Sequence, residues 1–227
     1  FPPPGRLAAR DDVGALRRAL DGGLRQIAFL LVPAGLLSIV LAEPIVRLVY
    51  QRGEFTADDT VIVAQCLQAF SIGLVFNGWM AILNRSFYAI QTNWVPTGIA
   101  LGAVALNAAF NLAFYRLGIW GVPLATSAVN VVASAVLLVM MRRRLGLEHV
   151  RRTLGVVVRI AAAGAVAAAA AFGVWYGLDE LLGRGLGAQI VSLGSGFVVA
   201  GLVYLGLARA LGVRELETLL LLRARRG

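Results

Sequence analysis

An all-α integral membrane protein with six spanning helices is the fold the sequence predicts, on three observations. Hydrophobic residues make up 59% of the 227 and charged residues only 15%, whereas a soluble domain carries roughly half and roughly a quarter. Six apolar runs succeed one another, each near the ~20 residues that cross a bilayer as a helix. The basic residues fall in clusters between those runs, as in membrane loops, so the net charge of +9 does not point to nucleic acid as a partner. All 21 basic residues are arginine, a compositional bias from which no mechanism follows.

Several function classes drop out early. Cys66 is the only cysteine and lies in an apolar run, so no intrachain disulfide is possible. His149 is the only histidine, and no Cys/His cluster can assemble a zinc site. There is no phosphate-binding loop and no nucleophile–base pair, so no enzyme is expected. The chain opens Phe-Pro-Pro-Pro without a starting Met or a signal-peptide pattern, and is expected to begin partway through a longer protein.

Taken in order, residues 6–25 place Val13, Leu16, Leu20 and Leu24 at helical spacing, with Arg10, Arg17 and Arg18 elsewhere. This predicts an amphipathic helix, either lying in the membrane interface or packing on its own protein. The apolar runs follow at about 24–41, 61–83, 95–115, 118–141, 154–176 and 187–208. The first contains Pro33, tolerated in a membrane helix when a neighbour satisfies the freed carbonyl. Between the first two runs, residues 41–60 turn at Pro44, carry a half-apolar segment to Tyr50 and break at Gly53. Thr56 with Asp59 three residues on is a capping-box pattern, so a new helix is expected from about Ala57.

Orientation comes from the arginines. Six spans put seventeen of the 21 on the side of the N-terminal helix, leaving only Arg47, Arg52, Arg116 and Arg184 on the other. The positive-inside rule makes the arginine-rich side cytoplasmic, with both ends of the chain facing the cytoplasm. Gly98-xxx-Gly102 in the third span and Ser192-xxx-Gly196-xxx-Ala200 in the sixth are small-residue faces expected at close helix contacts. The alanine-rich fifth span, closing with Trp175 and Tyr176 as an aromatic belt would, offers a smooth face that could also lie against a lipid chain.

Polar groups inside the spans are the candidates for function. The second span carries Gln65, Gln68, Ser71 and Asn77 and ends at Asn84-Arg85. Asn107 and Asn111 share a face of the third span, and Thr126 and Asn130 a face of the fourth. No carboxylate sits mid-span, which argues against a self-contained proton relay. Asn107, Asn111, Thr126 and the Val122 carbonyl form an oxygen-only set that suits a hard monovalent cation such as Na+. Interhelical hydrogen bonding is the alternative reading of the same residues.

The spelling EPIVRLVYQRGEFTADDT at 43–60 resembles the loop after the ninth membrane helix of the MurJ/MviN family, the lipid II flippases of bacterial cell-wall synthesis. Residues 84–96 resemble that family's cytoplasmic turn at Arg85, Phe87, Tyr88 and Pro96, with Asn93-Trp94 departing from its polar, basic spelling. Residues 105–146 resemble its next two spans and basic loop. The resemblance implies the last six of fourteen helices. Residues 1–26 would be a cytoplasmic amphipathic helix and connector. Residues 27–145 would be four transmembrane helices of the C-terminal lobe, and 146–227 two additional helices with a basic cytoplasmic tail.

It further implies a lipid II flippase of the cell inner (plasma) membrane, working by alternating access on a polyprenyl-linked peptidoglycan precursor. Arg85, with Asn77, would face the headgroup at the cytoplasmic surface; a snorkelling structural arginine is the alternative reading of Arg85. Ala165, Ala169 and Gly196 would line a groove for the polyprenyl tail; the wider superfamily couples to a cation or to the membrane potential, and Asn107, Asn111 and Thr126 are where a coupling Na+ would sit. The family's cavity arginines fall on helices outside this stretch, so none is carried over. Other expectations are membrane lipids and cell-wall synthesis proteins as partners. The competing readings are a flippase for another polyprenyl-linked oligosaccharide, a cation/drug antiporter, or a non-transporting scaffold for cell-wall synthesis.

Overall fold

The computed structural model describes residues 5–145, 150–183 and 185–212, with side chains from residue 14 in the first segment and from 153 in the second. The basic tail with Arg214, Arg223, Arg225 and Arg226 lies outside the described residues. So do His149, Arg184 and the side chains of Arg6, Arg10, Val13, Arg151 and Arg152. The described residues form α1 (Gly5–Val40), α2 (Ala42–Tyr50), α3 (Ala57–Ala89), α4 (Trp94–Phe114), α5 (Gly121–Leu145), α6 (Val150–Leu182) and α7 (Leu186–Ala210), with a 3-10 turn at Tyr115–Leu117. All but α2 are long and apolar enough to cross a membrane.

A helix is the natural state of such a segment in lipid, because it satisfies its own backbone where no water can. The lengths exceed the minimum: α1 has 36 residues and α3 and α6 have 33 each. At 1.5 Å per residue that is about 50 Å, against ~30 Å of hydrocarbon, so these helices project beyond the bilayer or cross it tilted.

The amphipathic segment and the first span are one uninterrupted helix. The boundary drawn between residues 26 and 27 falls inside α1, and no connector separates the two parts. Leu16, Leu20 and Leu24 pack on Leu83 and Phe87 of α3 and on Leu137 and Met141 of α5. The apolar face of this segment is therefore used within the protein, while Arg17 and Arg18 are exposed. Once Leu20 and Leu24 are buried this way, extending the helix costs nothing that a break would recover.

Pro33 is buried inside α1 and cannot donate to the carbonyl four residues back, that of Phe29. The hydroxyl of Tyr204 on α7 donates to that oxygen at 2.7 Å, and its ring lies 5.2 Å from the Phe29 ring. Beside Pro33, Gly164 of α6 comes close enough that a Cβ there would stand 3.4 Å from the proline Cα. The predicted capping box also forms: Thr56 Oγ1 accepts from the Asp59 amide at 3.3 Å, and Asp59 Oδ2 accepts from the Thr56 amide at 2.9 Å.

The spans lie side by side in the order α4, α5, α3, α1, α6, α7, with α2 capping α3 and α7 at the end opposite the N-terminus. Their seams run where small residues permit. A Cβ on Gly73 of α3 would meet Ser127 Cα of α5 at 2.8 Å, and Ser127 Oγ donates across that seam to the Ala69 carbonyl at 2.6 Å. The small face of the sixth span behaves as expected. Ser192, Gly196 and Ala200 are buried, and a Cβ on Gly196 would approach the Ala171 carbonyl at 3.1 Å. Gly98-xxx-Gly102 does not: both glycines are exposed with open space around them, because α4 meets α5 with its other side.

Tyr204→Phe strands the Phe29 carbonyl in a buried, apolar setting. It is expected to cost about 1–3 kcal/mol, read as a lowered thermal midpoint of the purified protein in detergent. An unchanged midpoint would show that the Phe29 carbonyl needs no partner.

Candidate functional site

Helix α3 is paired with α1 and α5 and leaves a third side open. Along that side Asn77, Ala81, Arg85 and Tyr88 recur at intervals of four, four and three, and all four are exposed. The sequence-predicted headgroup residues Asn77 and Arg85 thus share one stripe. An amide and a guanidinium on the open side of a span are expensive against lipid tails, so such a stripe belongs beside water, a polar cavity or other protein. Next to it the Asn84 Oδ1 is buried without a hydrogen-bond partner among the described residues.

The second constellation sits at the far end of the α4–α5 hairpin. Asn111 Nδ2 donates to Asn107 Oδ1 at 2.7 Å, and Thr126 Oγ1 donates to the Val122 carbonyl at 3.2 Å. Each pair is closed within its own helix. Asn107 and Asn111 precede the end of α4 by two turns or fewer, and Val122 and Thr126 occupy the first turns of α5, so the hairpin sets both pairs at one end. Asn111 Oδ1 is buried with no hydrogen-bond partner among the described residues. A buried carbonyl-type oxygen left unbonded costs stability unless something electropositive reaches it, so the donor chemistry here fits a hard cation. No cluster of acidic, histidine or cysteine residues able to hold a metal occurs among the described residues.

The third set divides. Ala165 and Ala169 lie on the exposed face of α6, whereas Gly196 is buried where α7 meets α6. The three do not line one groove. Spacing alone could not tell the open face of an alanine-rich helix from the face its neighbour covers.

One arrangement escaped sequence reasoning. Arg47 on α2 donates through Nη2 to Asp179 Oδ1 near the end of α6 at 2.7 Å, and its guanidinium stands over the Trp175 ring at 5.7 Å. Both charged side chains are largely buried, at 11% and 15% exposure. This is the one ion pair recorded among the described residues. The sequence signal was the placement of both residues at span ends on the arginine-poor side, but a separation of 132 residues hides the pairing.

A model of the family described as lipid II flippase MurJ matches residues 1–211. The chain is 31% identical over 198 residues to the probable lipid II flippase MurJ of Vibrio cholerae, covering 86% of this chain and 37% of that protein. It is 32% identical over 141 residues to the Synechocystis sp. protein of the same description, covering 62% of this chain and 26% of that one. Against the lipid II flippase MurJ of Thermosipho africanus the identity is 33% over 123 residues, or 52% of this chain and 25% of the relative. The chain thus spans between a quarter and two-fifths of the length of these relatives. A solved structure, lipid II flippase MurJ in an inward closed conformation, has the same fold at a TM-score of 0.68 and 24% identity, covering 88% of this chain and 41% of its own.

If the α3 stripe borders water, Asn77→Cys in a Cys66→Ala background is labelled by a membrane-impermeant maleimide, while Val158→Cys on the apolar open face of α6 is not. Equal protection of both would place Asn77 against lipid or protein.

Proposed function

The chain belongs to the lipid II flippase MurJ family, and from that premise we propose that its protein moves a lipid-linked peptidoglycan precursor across the inner (plasma) membrane by alternating access, acting as a transporter and not as an enzyme. The observation that carries the reading is the exposed polar stripe of α3, Asn77 to Arg85, on the open side of a span. A charged, glycosylated headgroup crosses hydrocarbon only through a polar path, whereas its polyprenyl tail is already at home in lipid. A transporter of such a molecule therefore needs a polar surface on some spans and smooth apolar faces on others. Here α3 supplies the first, and the open face of α6 with Ala165 and Ala169 supplies the second.

In this reading Arg85 meets the pyrophosphate end of the headgroup near the cytoplasmic surface, and the arginine-rich side is the cytoplasmic one. Asn107, Asn111, Thr126 and the Val122 carbonyl would hold Na+, with the unbonded Asn111 oxygen as the ligand in waiting. Binding would exchange two intrahelical hydrogen bonds for cation–oxygen contacts, so occupancy would draw the α4 and α5 ends together and bias one conformation.

The test is lipid II exposure on the outer leaflet of cells depleted of their own flippase and complemented with the complete protein carrying this chain. Rescue is expected, and its absence from well-expressed protein would remove the substrate assignment. In the same assay Arg85→Ala should slow exposure at unchanged membrane levels. Asn107→Leu with Asn111→Leu should abolish any sodium dependence; sodium dependence persisting in that variant would sink the cation site. Ala165→Trp with Ala169→Trp should slow exposure if the tail runs along α6, and wild-type rates would exclude that face.

A further inference from the structure

A polar cavity of about 390 Å³ opens where α2, the start of α3 and the start of α7 meet, on the arginine-poor face of the membrane. Glu43, Arg47, Gln51, Arg52, Thr60 and Gln189 supply its polar wall. It shares no residue with the α3 stripe or the α4–α5 oxygens. We propose that this cavity is a binding site for a lipid headgroup made of a phosphodiester and a primary amine, the ethanolamine type.

Charge selects that class. Two of the four arginines that the chain keeps on this face, Arg47 and Arg52, line one cavity, on the side where membrane proteins carry few. Arg47 is fixed from behind by Asp179 and Trp175, so its guanidinium keeps one orientation. Arg52 is exposed and is tied back over the end of α2 through Nη2 to the Leu48 carbonyl at 3.0 Å. Glu43, one turn before Arg47 on α2, is exposed and adds a separate negative pole. Among the described residues at this cavity, with Asp179 balancing Arg47, the four charges of Glu43, Arg47, Arg52 and Asp179 sum to zero while the poles stay apart. Such a site matches a ligand of zero net charge with separated phosphate and ammonium groups better than it matches a multiply charged anion.

Size and depth agree with a headgroup. The volume is at the low end of the ~300–1,000 Å³ typical of ligand pockets, too small for a disaccharide bearing a peptide. Trp175, against which Arg47 rests, and its neighbour Tyr176 mark the headgroup level at this end of α6. Leu186 on the cavity edge and Ile190 one turn along α7 are both 53% exposed and give acyl chains an apolar path into the bilayer. The inference rests on the fold and its sidedness, not on the flippase reading.

The experiment is a titration of the purified protein in detergent, followed by native mass spectrometry and tryptophan fluorescence. The probes are dioctanoyl phosphatidylethanolamine, dioctanoyl phosphatidylglycerol and inorganic phosphate. Phosphatidylethanolamine should bind saturably and more tightly than phosphatidylglycerol, and phosphate should not compete. Arg52→Gln should weaken both lipids by about tenfold or more, the loss of one charge-assisted contact. Glu43→Gln should weaken phosphatidylethanolamine alone. Arg52 and Glu43 are exposed, so the fold is expected to survive, and Gln51→Leu in the same wall is the second variant should either fail to fold. Wild-type affinity in the variants would overturn the site. Equal binding of both lipids would overturn the amine, and competition by inorganic phosphate would overturn the lipid assignment in favour of a free anion.

Discussion

The hydrogen bond from Tyr204 to the Phe29 carbonyl is the contact on which the two halves of this molecule depend. Pro33 leaves that carbonyl without its helical donor, and inside a bilayer no water can replace it. The donor comes from α7, more than 170 residues along the chain. One prolyl residue therefore creates a need that only a distant helix can fill, and filling it fixes the rotation of α7 and the approach of α6 to α1. The Ala28, Phe29, Ile160, Ala163, Ala167, Tyr204 and Ala208 cluster packs around this bond, and toward the N-terminal end of α6 Arg25 of α1 donates to Thr153 Oγ1 at 3.3 Å, so two polar contacts set the register of the α6–α7 pair on α1.

Register elsewhere is set by the same economy of material. Lipid tails are as apolar as leucine, so helices gain little by exchanging one for the other and associate where backbones can come close. Gly73 against Ser127, Gly164 against Pro33 and Gly196 against Ala171 each mark such a seam. At the first, a serine hydroxyl bonded across the gap adds direction to proximity.

Length and hydropathy made the six spans legible, since crossing hydrocarbon demands both, and the Thr56–Asp59 box was legible because it is local. What depended on the third dimension was not. Gly98 and Gly102 have the spacing of a packing motif but face open space, because a small-residue pattern states that a helix can be approached and not that it is. Residues 6–25 read as a separate amphipathic helix because their arginines interrupt the apolar run, yet the helix continues through them with Leu20 and Leu24 buried. Of the candidate sites, Asn77 and Arg85 fell on one stripe because helical spacing is enough to say so. Gly196 separated from Ala165 and Ala169 because which face a neighbour covers is decided by packing. The Arg47–Asp179 pair was invisible because nothing local links its members.

That pair also explains why the loop between the first two spans is built as it is. α2 lies on α3 and α7, and it reaches α6 through the Arg47 side chain. A largely buried guanidinium is costly unless its charge is met, and removing either partner would leave the other unpaired in a poorly hydrated place. The cation–π contact with Trp175 disperses part of what Asp179 leaves. The short helix is thus held against both the α1–α3–α5 group and the α6–α7 pair, at the end where neither Tyr204 nor Pro33 can act. The polar attachments of α6–α7 stand at different membrane depths, the Tyr204 and Arg25 hydrogen bonds toward the arginine-rich side and the Arg47–Asp179 ion pair at the arginine-poor surface. A helix pair pinned at two depths resists rocking against α1. In the proposed alternating-access cycle, movement is therefore expected at the other edge, where α4 touches α5 alone along most of its length and the polar stripe of α3 stays open.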